Sequence, residues 1–176
     1  MRGDAGWPAR IAWAVETMEV RPGDRVLEIG PGTGVAVAAV VERLAEGTIT
    51  AIDRSAKAIA ATRARNAAAV AAGRVVLETT PLERADLRAG MFERIFAINV
   101  NLFWVRDAGA VLASLRRALA REGVLYLFYE PPGPEQARRI SRIVGQAVGA
   151  AGFTATAVEA ERGGRPLVAI VGRPGT

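Results

Sequence analysis

The sequence predicts an α/β fold: a doubly wound, mostly parallel sheet of seven strands, with an antiparallel C-terminal strand and helices on both faces. Three observations support this fold class. Short apolar runs alternate with segments of helical periodicity, and turn-forming residues separate them. The last two runs are joined only by residues 161–165, which are too few for a crossover helix and suit a hairpin. The final strand is therefore expected to run antiparallel to its partner.

The individual elements follow from local patterns. Runs rich in β-branched and aromatic residues predict strands, and helical spacing with suitable first and last residues predicts helices. Because crossovers lie over the faces of such a sheet, the first five strands are expected to be parallel. The predicted strands are 25–29, 48–52, 74–77, 94–98, 124–129, 153–159 and 166–171, and the predicted helices are 7–18, 37–44, 56–72, 108–120 and 134–151.

Length and composition predict one domain. The 176 residues are 51% hydrophobic, which is enough for a single core over residues 1–176. Within it, residues 1–20 form an N-terminal lead and helix, and residues 21–172 form the ligand-binding core. No apolar run approaches the roughly 18 residues that cross a bilayer, and the first residues lack a signal-peptide core. We therefore expect a cytoplasmic protein without a membrane partner.

Cysteine and histidine are both absent, and the charge is positive. Their absence excludes disulfides, thiolate nucleophiles, imidazole bases and the usual transition-metal ligands, so no metal site is predicted. A net charge of +5 and a pI near 10.8 would suit nucleic acid. However, the arginines are scattered and Lys57 is the only lysine, a pattern that favours a solvated basic surface. The oligomeric state stays open.

The first predicted strand runs into a glycine loop. Residues 26–34 read Val-Leu-Glu-Ile-Gly-Pro-Gly-Thr-Gly, and glycines at such a strand end let the backbone approach a ligand closely. Their spacing is G-x-G-x-G, and Val35 stands where the dinucleotide fingerprint has its last glycine. Glu28 would oppose a phosphate but suit a cationic ligand. The loop therefore predicts an adenosine-bearing cofactor other than a dinucleotide.

Asp53 is a second, independent sign of such a ligand. It ends the second predicted strand about 20 residues after the loop, where a carboxylate can accept hydrogen bonds from both ribose hydroxyls. The alternative is a helix cap before residue 56. The segment 28–34 followed by Asp53 resembles motif I and the acidic residue after it in class I S-adenosylmethionine-dependent methyltransferases. The resemblance extends over about residues 20–172 and implies a Rossmann-like sheet.

The resemblance also implies S-adenosylmethionine as cofactor, with roles for particular residues. Thr80 and Pro81 stand where family members usually carry an acidic and a small residue against the adenine, so this contact departs from the family pattern. By similarity, the methionine part of the donor is contacted by Glu28, Gly30, Pro31, Gly32, Thr33, Gly34 and Asn99, the ribose by Asp53, and the adenine by Arg54, Thr80 and Pro81.

The residues after the fourth predicted strand bear on the methyl acceptor. Asn99 is followed by Val-Asn-Leu instead of the Pro-Pro-aromatic sequence typical of nucleobase amino methylases, and the cysteine needed to methylate cytosine carbon is missing. A small-molecule acceptor, methylated by in-line displacement, is therefore expected. Two alternatives stay open: a binding module for the donor without catalysis, and an RNA methyltransferase that uses the basic surface.

A general base would be needed only if the acceptor must lose a proton. The candidates are Glu130 and Tyr129 at the end of the fifth predicted strand, and Asp107 after the fourth predicted strand, just before the helix 108–120. Each has a structural alternative, because Asp107 can cap its helix and Tyr129 can pack in the core.

Overall fold

The computed structural model describes residues 6–105 and 107–175, and it contains one sheet of seven strands. The strand order is β3-β2-β1-β4-β5-β7-β6. Neighbouring strands from β3 to β5 are parallel, and β7 is antiparallel to both β5 and β6. This confirms the predicted fold class. The strands are β1 (Arg25–Ile29), β2 (Thr48–Asp53), β3 (Val75–Thr79), β4 (Phe92–Ile98), β5 (Leu119–Tyr129), β6 (Phe153–Arg162) and β7 (Arg165–Pro174).

Helices cover both faces of the sheet and bury an apolar layer on each. The helices are α1 (Ala9–Met18), α2 (Val35–Val41), α3 (Ala56–Arg65), α4 (Ala67–Ala71), α5 (Leu102–Val105), α6 (Gly109–Ala118) and α7 (Pro134–Ala150), with a 3₁₀ turn at Leu82–Arg84. In β1, Leu27 belongs to the layer under α6 and α7, while Val26 belongs to the layer under α1 and α2. Burial on both faces explains why β1 is almost continuously apolar.

The predicted helix over 56–72 is interrupted at Asn66, which separates α3 from α4. Asn66 Nδ2 donates to the carbonyls of Gly34 and Thr62, at 3.1 and 2.9 Å. Its side chain therefore competes with regular helix geometry, as asparagine does when it bonds to nearby backbone. Ser55 caps α3 as predicted, since its hydroxyl accepts from Ala58 N at 3.3 Å.

The fifth strand begins at Leu119, five residues before its predicted start, and the preceding helix ends at Ala118. Its pairing with β4 shifts register between Phe92 and Arg94. Gly123, predicted as a turn, lies inside this strand. A Cβ atom there would be 2.8 Å from Phe92 O, so the irregular pairing needs glycine at this position.

The C-terminal hairpin has the predicted form. Gly163 and Gly164 join β6 to β7 with φ angles of 58° and 72°, the positive values that a two-residue hairpin turn requires. Across residues 6–105 and 107–175, no helix has both the length and the apolar character to cross a membrane. In the same part of the chain, no group of three or more His, Cys, Asp or Glu residues is placed to hold a metal ion.

Candidate functional site

A cleft of about 550 Å³ lies beyond the carboxyl ends of the parallel strands, where ligands bind in sheets of this type. It brings together residues from four strand ends that are distant in sequence. Apolar residues of the segment 98–105 complete one wall. Six of the predicted cofactor residues line the cleft: Gly30, Asp53, Arg54, Thr80, Pro81 and Asn99.

The glycine loop adopts a conformation that requires glycine. Gly30, Gly32 and Gly34 have φ angles of 70°, 57° and 73°, in the left-handed region. At Gly30, a Cβ atom would lie 2.9 Å from Val100 Cγ2, so the loop after β1 and the segment after β4 approach each other closely. Within the loop, Gly34 N donates to Pro31 O at 2.8 Å, which closes a tight turn around Gly32 and Thr33.

Side chains of the segment 62–66, at the end of α3, hydrogen-bond to the carbonyls of this loop, a feature that the sequence analysis missed. Thr62 Oγ1 donates to Gly32 O at 3.2 Å, Arg65 Nε to Thr33 O at 2.8 Å, and Asn66 Nδ2 to Gly34 O. A signal was present, because the three residues have the i, i+3, i+4 spacing of one helix face in an otherwise alanine-rich segment.

Glu28 is buried in β1, and its Oε2 has no hydrogen-bond partner among the described residues. Burial away from water raises the pKa of this carboxyl from 4.5 to about 8. An unpartnered buried carboxyl is costly, and it is stabilised if a cation approaches. Its place two residues before Gly30 therefore fits a positively charged ligand in the glycine loop.

Asp53 retains an oxygen for a ligand. Its Oδ1 accepts from Ser55 N at 2.8 Å, and Ser55, not Asp53, caps α3. No described residue donates to Oδ2. The carbonyl of Asp53 accepts from Thr80 N at 2.9 Å, which joins the end of β2 to the loop after β3. This bond fixes Thr80 beside Asp53 in the cleft.

Asn99 marks the other end of the cleft. It is the first residue after β4, and its φ of 55° is unusual for a residue other than glycine, although asparagine tolerates it. Asn99 N donates to Phe128 O, and Asn99 Oδ1 accepts from Glu130 N, both at 2.8 Å. Because a backbone N–H can only donate, the amide oxygen must face Glu130. The amide NH₂ group is therefore free of partners within the described residues.

The three candidate bases are engaged elsewhere, and none of them lines the cleft in the described part of the chain. The Tyr129 hydroxyl donates to Val100 O at 3.4 Å, and burial raises its pKa above the usual range. Asp107 Oδ1 accepts from Gly109 N at 2.9 Å, at the start of α6. Glu130 forms the ion pairs described next.

Two arginines from opposite ends of the chain meet at Glu130. Its Oε2 lies 3.3 Å from Arg10 Nη1 in α1, and its Oε1 lies 3.8 Å from Arg165 Nη1 in β7. A third ion pair, between Arg162 and Glu16 at 3.3 Å, joins the hairpin directly to α1. The cluster at Glu130 therefore has two arginines for one carboxylate, beside the end of β5.

The other predicted cofactor residues lie outside the lining of the cleft. Pro31, Gly32, Thr33 and Gly34 form the loop described above but do not line the cleft surface, and Glu28 lies beneath it. Two aromatic residues of α5 are not among these predicted residues: Phe103 is buried in the core, whereas Trp104 is half-buried and its Nε1 donates to Asn101 Oδ1 at 3.2 Å.

The sheet order, the glycine loop and the unpartnered Glu28 carboxyl together define a Rossmann-like protein of the class I S-adenosylmethionine-dependent methyltransferases, whose cofactor is a cation with an adenosine part. The model of a family described as a methyltransferase domain matches residues 26–123. The chain belongs to this methyltransferase-domain family.

Two curated relatives carry the same name, protein-L-isoaspartate O-methyltransferase. The protein from Methylorubrum populi is 38% identical over 136 residues, which are 77% of this chain and 58% of the relative. The protein from Methylorubrum extorquens is 35% identical over 136 residues, 77% of this chain and 54% of the relative. The chain thus spans little more than half the length of these relatives.

Solved structures share the fold at low sequence identity. A SAM-dependent methyltransferase from Aquifex aeolicus superposes with a TM-score of 0.76 at 16% identity, over 93% of this chain and 88% of that chain. A geranyl diphosphate methyltransferase solved with sinefungin gives 0.74 at 13% identity, over 94% and 77%. The cyclase SpnF gives 0.76 at 14% identity, over 94% and 80%. The fold alone therefore does not determine the reaction.

Proposed function

We propose that this protein is a methyltransferase that moves the methyl group of S-adenosylmethionine to a carboxylate oxygen of its acceptor. The observation that carries the donor assignment is the cleft in which Gly30, Asp53 and Asn99 meet, with the unpartnered carboxyl of Glu28 below it. The donor supplies an electrophilic methyl group on a positively charged sulfur. The chain itself must bind and orient the two reactants and exclude water.

The donor is proposed to lie across the cleft from the loop to the end of β3. Residues 30–34 and Glu28 contact its methionine part, Asp53 accepts from the ribose through Oδ2, and Asn99 lies at the methionine end. Arg54, Thr80 and Pro81 flank the adenine. The bond between Thr80 N and Asp53 O supports this arrangement, because it brings the ribose and adenine contacts together.

The surroundings of the three candidate bases favour an acceptor that is already ionised. Tyr129 is buried and its pKa is raised, Asp107 bonds to the start of α6, and Glu130 is paired with two arginines. Histidine and cysteine do not occur in the sequence. A carboxylate needs no deprotonation at neutral pH, so it can react without a general base.

Asn99 and the arginines around Glu130 suit a carboxylate acceptor. The NH₂ group of Asn99 can donate to an acceptor oxygen, whereas its carbonyl oxygen already uses one of its two lone pairs for Glu130 N and is less available to an amine. The excess positive charge of Arg10 and Arg165 attracts an anion towards the same strand ends. In the reaction, a carboxylate lone pair forms the new O–C bond while the C–S electron pair stays on sulfur. The products are a methyl ester and a neutral thioether, and no proton moves.

Two kinds of carboxylate are candidates. The names of the two Methylorubrum relatives favour an isoaspartyl residue of a protein. The sequence analysis predicts a small molecule, because the residues after Asn99 lack the Pro-Pro-aromatic sequence of nucleobase amino methylases and the chain has no cysteine. Both acceptors present the same reacting group, and the experiment below distinguishes them.

The test uses radiolabelled S-adenosylmethionine with four acceptor preparations: an isoaspartyl peptide, the matched aspartyl peptide, a pool of carboxylic acid metabolites, and RNA. Methyl esters hydrolyse in alkali and release volatile methanol, whereas methylated amines and bases do not. We expect alkali-labile counts from the isoaspartyl peptide or from the metabolite pool. Alkali-stable counts, or transfer to RNA alone, would contradict the carboxylate assignment. Undetectable binding of S-adenosylhomocysteine by calorimetry would contradict the donor assignment itself.

A further inference from the structure

Three consecutive carbonyls of the glycine loop each accept a hydrogen bond from a side chain of the segment 62–66. We propose that Thr62, Arg65 and Asn66 are positioning residues for the methyl donor. They fix the peptide groups of the loop so that its N–H groups face the methionine part of the donor. This inference rests on the proposed function, because it assumes that the loop binds S-adenosylmethionine.

The contact between helix and loop is close and mostly buried. Thr62 is 0% exposed and Asn66 is 6% exposed; the bond from Asn66 to Gly34 is buried, and the bond from Thr62 to the exposed Gly32 is partly buried. A Cβ atom at Gly34 would lie 2.8 Å from Asn66 Nδ2 and from Thr62 Cα. Glycine at position 34 therefore lets the loop reach the helix, and asparagine at position 66 uses this proximity to bond to its carbonyl.

The bonds determine where the loop can donate. In a planar trans peptide the C=O and the N–H point in opposite directions. Holding Gly32 O and Gly34 O towards the helix therefore turns the N–H groups of Thr33 and Val35 away from it. Neither N–H has an acceptor among the described residues, whereas Gly34 N–H bonds to Pro31 O within the turn. The loop thus presents two oriented backbone donors on its side away from α3.

Preorganisation is the advantage of this arrangement. A loop with glycine at every second position samples many conformations, and a ligand that had to order it would bind more weakly. The three side chains order the loop before the ligand arrives. Their contribution should therefore be specific to ligands that contact the loop.

The test compares two ligands that differ in that contact. S-adenosylhomocysteine contains the amino acid part, and adenosine lacks it. For Thr62→Val and Asn66→Ala, calorimetry should show affinity for S-adenosylhomocysteine reduced roughly tenfold, as expected for loss of one buried hydrogen bond. Affinity for adenosine should stay within about twofold of wild type. Thr62→Ser should bind S-adenosylhomocysteine about as tightly as wild type, because serine retains the hydroxyl group.

Thr17→Val is the matched control. Thr17 Oγ1 donates to Trp13 O at 2.8 Å in α1, so this variant removes the same kind of side-chain bond away from the loop. We expect its affinity for both ligands to equal that of wild type. Thermal unfolding of each variant, without ligand, reports any general loss of stability.

Two results would overturn the inference: unchanged affinity for S-adenosylhomocysteine, or an equal loss for both ligands, which would indicate a merely structural role. If the buried variants fail to fold, Arg65→Met gives the same test, because Arg65 is exposed and its Nε donates to Thr33 O. Wild-type protein that binds adenosine but not S-adenosylhomocysteine would overturn the proposed function as well. If wild-type protein binds S-adenosylhomocysteine and the ratio of the affinities for S-adenosylhomocysteine and adenosine is the same in every variant, only this inference is overturned.

Discussion

The backbone N–H of Glu130 donates to Asn99 Oδ1 at 2.8 Å, and this bond helps to join the end of β5 to the end of β4. It fixes the orientation of the Asn99 amide, since only the oxygen can accept. Both N–H groups of the amide remain for an acceptor, whereas the oxygen keeps only one of its two lone pairs. This arrangement favours oxygen acceptors over amines.

Asn99→Asp should separate two roles of this side chain: accepting a hydrogen bond from Glu130 N and donating one to the methyl acceptor. The variant retains an oxygen for Glu130 N but replaces the NH₂ donor with a negative charge that repels a carboxylate. We expect kcat/KM for a carboxylate acceptor to fall at least about tenfold with little change in the melting temperature. Tyr129→Phe is the control, because its hydroxyl makes only a 3.4 Å bond to Val100 O and its removal should change the rate less than about twofold. An Asn99→Asp variant as active as wild type would contradict the role of the NH₂ group.

Asp53→Asn should weaken donor binding. The substitution keeps an oxygen for Ser55 N but leaves no second oxygen to accept from a ribose hydroxyl. Loss of hydrogen bonds to a charged acceptor predicts an affinity for S-adenosylhomocysteine lower by roughly 10- to 100-fold in calorimetry. Ser55→Ala is the matched control: it removes the cap of α3 at a cost of about 1 kcal/mol in stability and should leave affinity nearly unchanged. If Ser55→Ala weakened binding of S-adenosylhomocysteine and Asp53→Asn did not, Asp53 would stabilise the start of α3 and would not bind the ligand.

Glu28 should make the stability of the ligand-free protein depend on pH. Its pKa is about 8 in the folded protein and near its ordinary 4.5 in the unfolded chain. Between these values the folded state holds a proton that the unfolded state has released, so stability falls as pH rises through this window. Urea unfolding at about pH 5 and about pH 8 should show a loss of a few kcal/mol that Glu28→Gln lacks. Equal pH dependence in both proteins would contradict this prediction.

Donor binding should in turn release a proton from Glu28. A positively charged ligand near the carboxyl favours its ionised form and lowers its pKa. At about pH 7, binding of S-adenosylmethionine is therefore expected to release close to one proton. Calorimetry in buffers of different ionisation enthalpy measures this number directly. Glu28→Gln should release none, and the same proton count in both proteins would exclude Glu28 as the source.

The sequence predicted the seven strands and the five longer helical segments in their order along the chain, because that information is local; the short helix α5 was not predicted. Apolar periodicity, turn residues and caps such as Ser55 act over a few positions, and the parallel arrangement follows from the presence of crossover helices. Two of the differences from the predicted elements, at Asn66 and at the start of β5, have a common cause. In both places a glycine lies close to a distant segment, as Gly34 does to α3 and Gly123 to β4, and that contact overrides the local pattern.

The sequence by itself identified the glycine loop and Asp53 as candidate cofactor contacts, because the cofactor contacts of this class lie at fixed strand ends. Only the tertiary structure decided how those ends are supported. Arg10 reaches Glu130 across 120 positions, and Thr62 reaches Gly32 across 30. Such bonds depend on which helix faces and strand ends the completed sheet brings together, and no short pattern encodes that placement. The free NH₂ of Asn99 and the unpartnered oxygen of Glu28 likewise became visible only once every neighbour was in place.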